Sequence, residues 1–209
     1  LEGSGVTAES VESGERPDQS QLFIPVVCGS VRKNRRSYGA CELIAQRVEA
    51  AGHRTELIDL RALALPMYDE EPESEIMPAV ARLREIMGES DASIWQSPEY
   101  NHSFTSAVKN AIDYLDEELR RKPVAVAGLG SLSGGTRAVE QLKLVLIELH
   151  ALPTRDSVAF TDARNMFDAE GKLQRPEWIG RIDLMVRELA WYARALKWGR
   201  EHVEIPERR

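Results

Sequence analysis

The sequence predicts a three-layer α/β fold in which a five-stranded parallel sheet is covered by helices on both faces. Three observations predict it. Short apolar runs alternate with helix-length segments from Leu22 to the C-terminal region, as βαβ units require. The first of these runs, Leu22 to Cys28, is nearly continuous in apolar residues, as a strand buried on both faces must be. The intervening segments are long enough for the right-handed crossovers that connect parallel strands.

The first strand is Leu22 to Cys28, closed by Gly29. Ser37 then suits a helix cap, and a helix to about Ala51 carries Leu43, Ile44 and Val48 at helical spacing, with Gly52 as its stop signal. Thr55 to Leu60 reads as the second strand, and Pro78 to Met87 as a helix after the acidic loop Asp69 to Glu75. Ala92 to Gln96 is the third strand, and Thr105 to Leu115 a helix with Val108, Ile112 and Leu115 on one face. Pro123 to Leu129 is the fourth strand, followed by a helix from Thr136 to about His150. A fifth strand falls near Thr154 to Phe160, and a last helix near Glu177 to Trp198.

The 209 residues suit one domain, here residues 22–200, between a Glu-, Ser- and Gly-rich tail (1–21) and a charged end (201–209). The tail has no apolar periodicity, and burial cannot offset the entropy of ordering it. It also has no basic segment followed by an apolar run, so it does not read as a secretory signal. With 27 basic against 34 acidic residues the net charge is −7, which argues against a nucleic-acid partner. No stretch approaches the roughly 18 apolar residues of a spanning helix, so no membrane partner is expected. Two cysteines, Cys28 and Cys41, in a chain able to build its own core point to a reducing cytoplasm and not to a disulfide scaffold.

Open parallel sheets bind ligands beyond the carboxyl ends of their strands, which directs attention to three loops. The loop after strand one, Gly29-Ser-Val-Arg-Lys-Asn-Arg-Arg-Ser37, combines hydroxyls and guanidinium groups with a helix start and suits a phosphate monoester. The bland reading, a solvated basic loop with a helix cap, weighs about as much on its own. The loop after strand three, Ser97-Pro-Glu-Tyr-Asn-His-Ser103, and that after strand four, Gly130-Ser-Leu-Ser-Gly-Gly-Thr136, suit the ledge and edge of a planar heterocycle. Ser133 stands where G-x-G-x-x-G needs its last glycine, and no lysine completes a nucleoside triphosphate loop, so neither nucleotide motif is present. His53, His102, His150 and His202 have no metal spacing. His102, although in the second loop, reads first as a surface residue. Cys28 reads as a core residue and Cys41 as a helix residue, with redox chemistry the minor alternative for both.

Gly-Ser-x-Arg before the first helix, Pro-Glu-Tyr-Asn with Lys-Asn-x-x-Asp after strand three, and Gly-x-x-x-Gly-Gly after strand four together resemble the NADPH-dependent FMN reductase family of flavodoxin-like proteins, over roughly Phe23 to Val158. The resemblance implies flavodoxin strand order, non-covalent FMN, NADPH or NADH as hydride donor, a small-molecule electron acceptor such as a flavin or quinone, and a homodimer or homotetramer. Carried over residue by residue, it assigns Ser30, Arg32 and Ser37 to the phosphate. Pro98, Glu99, Tyr100 and Asn101 fall to the isoalloxazine loop, and Gly130, Ser131 and Gly134 to the opposite ring edge. Lys33, Arg35 and Arg36 lie where they can meet a nicotinamide 2′-phosphate, the FMN or solvent. One departure is Thr105-Ser106, where the family often has Pro-Gly.

Because hydride transfer to flavin needs positioning and electrostatics from the protein, no catalytic acid or base is expected, and nicotinamide and acceptor should use one open ring face in turn. The alternative is a flavodoxin-like single-electron carrier, against which the basic phosphate loop speaks. Self-association is also expected from apolar helix faces at Ile112, Tyr114 and Leu115 and from the tryptophans of the last helix.

Overall fold

The computed structural model describes residues 21–69, 77–162, 164–168 and 173–205. The predicted N-terminal tail (apart from Gln21), nearly all of the acidic loop and residues 206–209 lie outside them.

Along the chain the elements are β1 (Val26–Cys28), α1 (Ser37–Ala50), β2 (Leu57–Asp59), α2 (Leu60–Leu63), α3 (Pro78–Glu89), β3 (Ser93–Pro98), α4 (Ser106–Asp113), β4 (Pro123–Leu129), α5 (Thr136–Glu148), β5 (Leu152–Phe160) and α6 (Glu177–His202). All strand pairings are parallel, in the order β2-β1-β3-β4-β5. Order reverses between β1 and β3, so the crevice that such sheets use for ligands opens beyond the carboxyl ends of these two strands.

Period-2 alternation explains the near-continuous apolar runs. Val26, Ile94, Ala125 and Ala127 face one layer, where Ile44 and Val48 of α1 and Ile182, Met185, Val186 and Leu189 of α6 cover them. Val27, Trp95, Val124 and Val126 face the other, beneath Leu83 and Ile86 of α3, Val108 and Ile112 of α4, and Leu142 and Leu146 of α5. The central strands β1, β3 and β4 are therefore buried on both faces, whereas the edge strand β5 is exposed at Leu152, Arg155 and Ser157. Trp95, fully buried, donates its indole N–H to Ser93 Oγ at 3.0 Å. Lys122 is buried too, and its ammonium donates to the carbonyls of Met87 and Gly88 at 2.7 Å, closing the C-terminal end of α3.

Several boundaries differ from the sequence expectation, each for a local reason. β1 begins at Val26 and not at Leu22, because Pro25 has no N–H to give the ladder. The run before it still pairs with the segment ahead of β2, with Ile24 N donating to Arg54 O at 2.8 Å. β3 reaches Pro98, β5 starts at Leu152, and α6 continues into the charged end as far as His202. α2 and a 3₁₀ turn at Glu117–Leu119 were not expected, since a single turn is too short to show a helical period. Ser37 is the first residue of α1 and not its cap, a place taken by Arg36. Ile112 and Leu115 offer no surface for association: they are 1% and 5% exposed because the face they share packs on the sheet.

The sheet closes around Gly29. A Cβ there would stand 2.4 Å from both Gln96 O and Val108 Cγ2, one on β3 and one on α4. Gly29→Ala is therefore expected to cost about 1 to 3 kcal/mol by overpacking, read as a lowered urea midpoint. An unchanged midpoint would mean that β1 and β3 can separate at no cost.

Candidate functional site

A cleft of about 290 Å³ opens where the fold places it, beyond β1 and β3. Ser30 and Ser37, both buried, line it with Arg32, Asn34, Pro98, Tyr100 and Leu129. Ser30 Oγ and the Tyr100 hydroxyl are 3.0 Å apart and share a hydrogen bond across the crevice. The exposed guanidinium of Arg32 lies 5.7 Å from the centre of the Tyr100 ring. No side chain caps α1, so the amides of its first turn keep their donors for another acceptor.

The other basic residues of the loop are set differently. Arg35 turns away to an ion pair with Asp59 at the end of β2, and its guanidinium lies 5.1 Å over the Tyr38 ring. Arg36 donates to the Arg164 carbonyl, which draws the segment after β5 over the cleft. Lys33 is exposed.

The second loop is locked to the third. Asn101 and His102 both have positive φ, 48° and 74°, inside a tight reversal closed by Tyr100 N to Ser103 O at 2.9 Å. The Glu99 carboxylate, 10% exposed, pairs with Arg137 Nε at 2.8 Å and accepts from Ser133 Oγ at 3.3 Å. Arg137 also reaches His102 Nδ1 at 3.1 Å, which requires that nitrogen to be unprotonated. One turn further along α5, Gln141 donates to His102 O at 2.8 Å and accepts from Ser103 Oγ at 2.6 Å. Glu99 thus binds the two loops together, whereas Tyr100 points into the cleft and Asn101 stands exposed at the tip.

In the third loop, glycine is a steric requirement. Gly134, at φ +64°, would place a Cβ 2.7 Å from the Ala159 carbonyl, and Gly135, at φ +84°, would place one 2.6 Å from Leu129 N. Gly130 N donates to Phe160 O at 3.1 Å, and the exposed Ser131 accepts at its carbonyl from Asp162 N at 2.8 Å. These bonds fix the loop against the ends of β4 and β5.

Thr105 joins the first two loops. Its hydroxyl donates to Gly29 O at 2.6 Å and accepts from Val108 N at 3.2 Å, capping α4. Beneath the loop after β1 lie Cys28 and Cys41, both fully buried and free. The Cys28 thiol is pulled down to about 7, first by a hydrogen bond with Cys41 and against the effect of burial. Burial pushes Cys41 well up, and its S–H donates to Gln96 Oε1 at 3.5 Å.

A model of the NADPH-dependent FMN reductase family matches residues 24–165 of this chain. The chain belongs to that family. With membership come FMN as cofactor, NAD(P)H as hydride donor and the activity of an oxidoreductase. The NAD(P)H-dependent FMN reductase PA1204 of Pseudomonas aeruginosa is 32% identical over 180 residues, which cover 82% of this chain and 95% of that one. The NADPH-dependent FMN reductase ArsH of Shigella flexneri is 29% identical over 196 residues, 90% of this chain and 75% of that one. Among solved structures, the flavoenzyme FerB of Paracoccus denitrificans, an NAD(P)H:(acceptor) oxidoreductase, superimposes with a TM-score of 0.72. At 22% identity, over 83% of this chain and 98% of that one, it shows the shared flavodoxin-like fold.

Asp59, Arg137 and Arg164 act on the site but were not singled out from the sequence. Asp59 had a signal, an acid ending the strand beside a basic loop; Arg137 and Arg164 had none, since their partners are distant in the chain. Arg137→Ala would leave the shielded Glu99 carboxylate without its cation. We expect a loss of about 1 to 3 kcal/mol in urea denaturation, partly restored by Arg137→Lys. No loss would mean that backbone bonds alone hold the loops.

Proposed function

We propose that the cleft takes the phosphate of FMN through Ser30, Arg32, Ser37 and the first-turn amides of α1. Pro98 to Asn101, Gly130, Ser131 and Gly134 then border its ring. The observation that carries this reading is the uncapped start of α1 beside two buried hydroxyls and an arginine with no carboxylate partner among the described ion pairs. That donor set fits a phosphate dianion, and nothing in it fits a neutral ligand better.

Bound there, FMN supplies the hydride acceptance from NAD(P)H and the onward transfer to a flavin, quinone or similar small acceptor. The chain supplies position and charge. Arg32 neutralises the phosphate, Tyr100 holds Ser30 toward it, and the Glu99–Arg137 pair keeps the two ring-bordering loops at a fixed separation. With those loops bordering the ring, FMN would leave one face open for donor and acceptor to use in turn, and ping-pong kinetics are expected. With Arg35 paired to Asp59, Lys33 and Arg36 are the cations of this loop left to meet a nicotinamide 2′-phosphate, the FMN or solvent.

The basic loop, where carriers have Thr- and Gly-rich segments, supports the enzyme over the single-electron carrier. We also read the chain as a cytoplasmic homo-oligomer, at least a dimer. Its two reduced cysteines and the exposed Trp191 and Trp198 support these readings.

Under anaerobic conditions NADPH or NADH should bleach the flavin absorbance within minutes, and quinone should restore it. Flavin that neither nicotinamide bleaches, but that takes single electrons from a reductase, would favour the carrier. Arg32→Ala should raise the FMN dissociation constant about tenfold to hundredfold with the fold intact, from the loss of a charge-assisted bond of about 1.5 to 3 kcal/mol. Equal affinity would remove Arg32 from the phosphate site.

A further inference from the structure

The layer between the sheet and α1 carries a polar row at its top, under the loop after β1. Asp59 on β2, Cys28 on β1 and Gln96 on β3 stand abreast as ladder partners. Partners in a parallel ladder leave the sheet on the same side, so the three side chains share the face that α1 covers. On α1, Ser37 and Cys41 are one turn apart and both buried, which places them together over this row. Ser37 Oγ stands 4.0 Å from the Cys28 sulfur, and Cys41 donates to Gln96 Oε1 at 3.5 Å. The Cys28 sulfur therefore lies under the Ser37–Cys41 pair, and it hydrogen-bonds Cys41.

A cysteine that only fills space needs neither an ionised sulfur nor a second thiol beside it, and Cys28 has both. Its thiol is pulled down to about 7, so much of it is thiolate at neutral pH, the form that attacks electrophiles. Cys41, kept protonated by burial, is the thiol in contact with it. Gln96 Nε2, also buried, has no acceptor among the described residues and leaves a donor in the cluster for an anionic partner. Ser37 touches Cys28 and also lines the cleft, so a water-sized reagent in the cleft has that hydroxyl between it and the sulfur.

We propose that Cys28 and Cys41 form a dithiol site that hydrogen peroxide oxidises to an intrachain disulfide, and that closing the disulfide weakens the FMN phosphate cradle through Ser37. The second half rests on the reading that Ser37 holds that phosphate. The Cys28 thiolate attacks one peroxide oxygen: an S–O bond forms, the O–O bond breaks, and hydroxide leaves to take up the proton that Cys28 had lost. The Cys41 sulfur then attacks the Cys28 sulfur. The S–S bond forms, the S–O bond breaks, and the hydroxyl departs with the Cys41 proton as water. Two thiols thus lose two electrons and one peroxide becomes two waters. Drawing the sulfurs from non-covalent contact to about 2.05 Å turns Cys28 toward Cys41 and away from Ser37. It also shifts the first turn of α1, which carries Ser37 and the donor amides, against the end of β1.

The test treats the FMN-loaded protein with hydrogen peroxide, removes the excess with catalase, and counts thiols in denaturant beside the intact mass. Both thiols of each chain should be lost, the mass should fall by two hydrogens, and dithiothreitol should restore both. Cys41→Ser should stop at a sulfenic acid on Cys28 that dimedone traps, and Cys28→Ser should keep its remaining thiol. The oxidised wild type should bind FMN at least about tenfold more weakly than the reduced protein. Thiols that survive, or sulfurs that gain oxygen without joining, overturn the dithiol site, as does a disulfide that links two chains. An intrachain disulfide with unchanged FMN affinity overturns the coupling through Ser37. The thiol count and mass need no flavin, so they decide the dithiol site even if the protein binds no FMN, a result that would sink the flavin reading instead.

Discussion

Everything at the site is referred to one close backbone approach, that of Gly29 to β3 and α4. Its N–H donates to Gln96 O at 2.9 Å, its carbonyl accepts from Thr105 at 2.6 Å, and no Cβ fits between the two elements. This contact fixes where the chain leaves β1, and so where the basic loop and the start of α1 stand. Through Thr105 the same contact caps α4 and sets the exit of β3, which carries Tyr100. Two loops of the cleft are thus positioned from one point, and Ser30 meets Tyr100 across 70 residues of sequence.

The third loop is brought in by charge. Glu99 is the acid of Pro-Glu-Tyr-Asn, yet it faces Arg137, and with Gln141 one turn later α5 grips the second loop from above. Because Glu99 is shielded from solvent, its pairing is screened less than a surface ion pair would be, and it holds the loops at low cost in mobile side chains. The basic segment on an acidic chain follows the same economy. Arg35 is neutralised within the fold by Asp59, Arg36 ties down a neighbouring backbone, and Arg32 has no carboxylate partner among the described ion pairs.

The fold was legible because the central strands carry apolar runs and the longer helices a 3.6-residue period that replaces the period of 2; β4 was read to the residue. What escaped had no period to read. Pro25 silently shortens β1, and α2 is one turn long. At the site, loops were legible because glycine, proline and hydroxyl residues cluster at strand exits, but the direction of a side chain was not. Nothing in Pro-Glu-Tyr-Asn says that the glutamate turns to α5 while the tyrosine turns to the cleft, since that choice is made by Arg137, 38 positions further on. Thr105 was legible only as a departure from the family pattern, and its hydrogen bond to Gly29 gives it a purpose. Ile112 and Leu115 show the converse limit: an apolar face is visible in sequence, but which neighbour covers it is not.

The central claim is that the loop after β1 is built for a phosphate monoester, and that this anion anchors the flavin. Riboflavin carries the same ring without the phosphate, so comparing its affinity for the apoprotein with that of FMN, by quenching of flavin fluorescence, isolates the contribution of Ser30, Arg32, Ser37 and the α1 amides. Several charge-assisted bonds of about 1.5 to 3 kcal/mol each predict FMN binding at least about a hundredfold tighter than riboflavin. Equal affinities would contradict the account, because the ring-bordering loops would then carry all of the binding and the basic loop none.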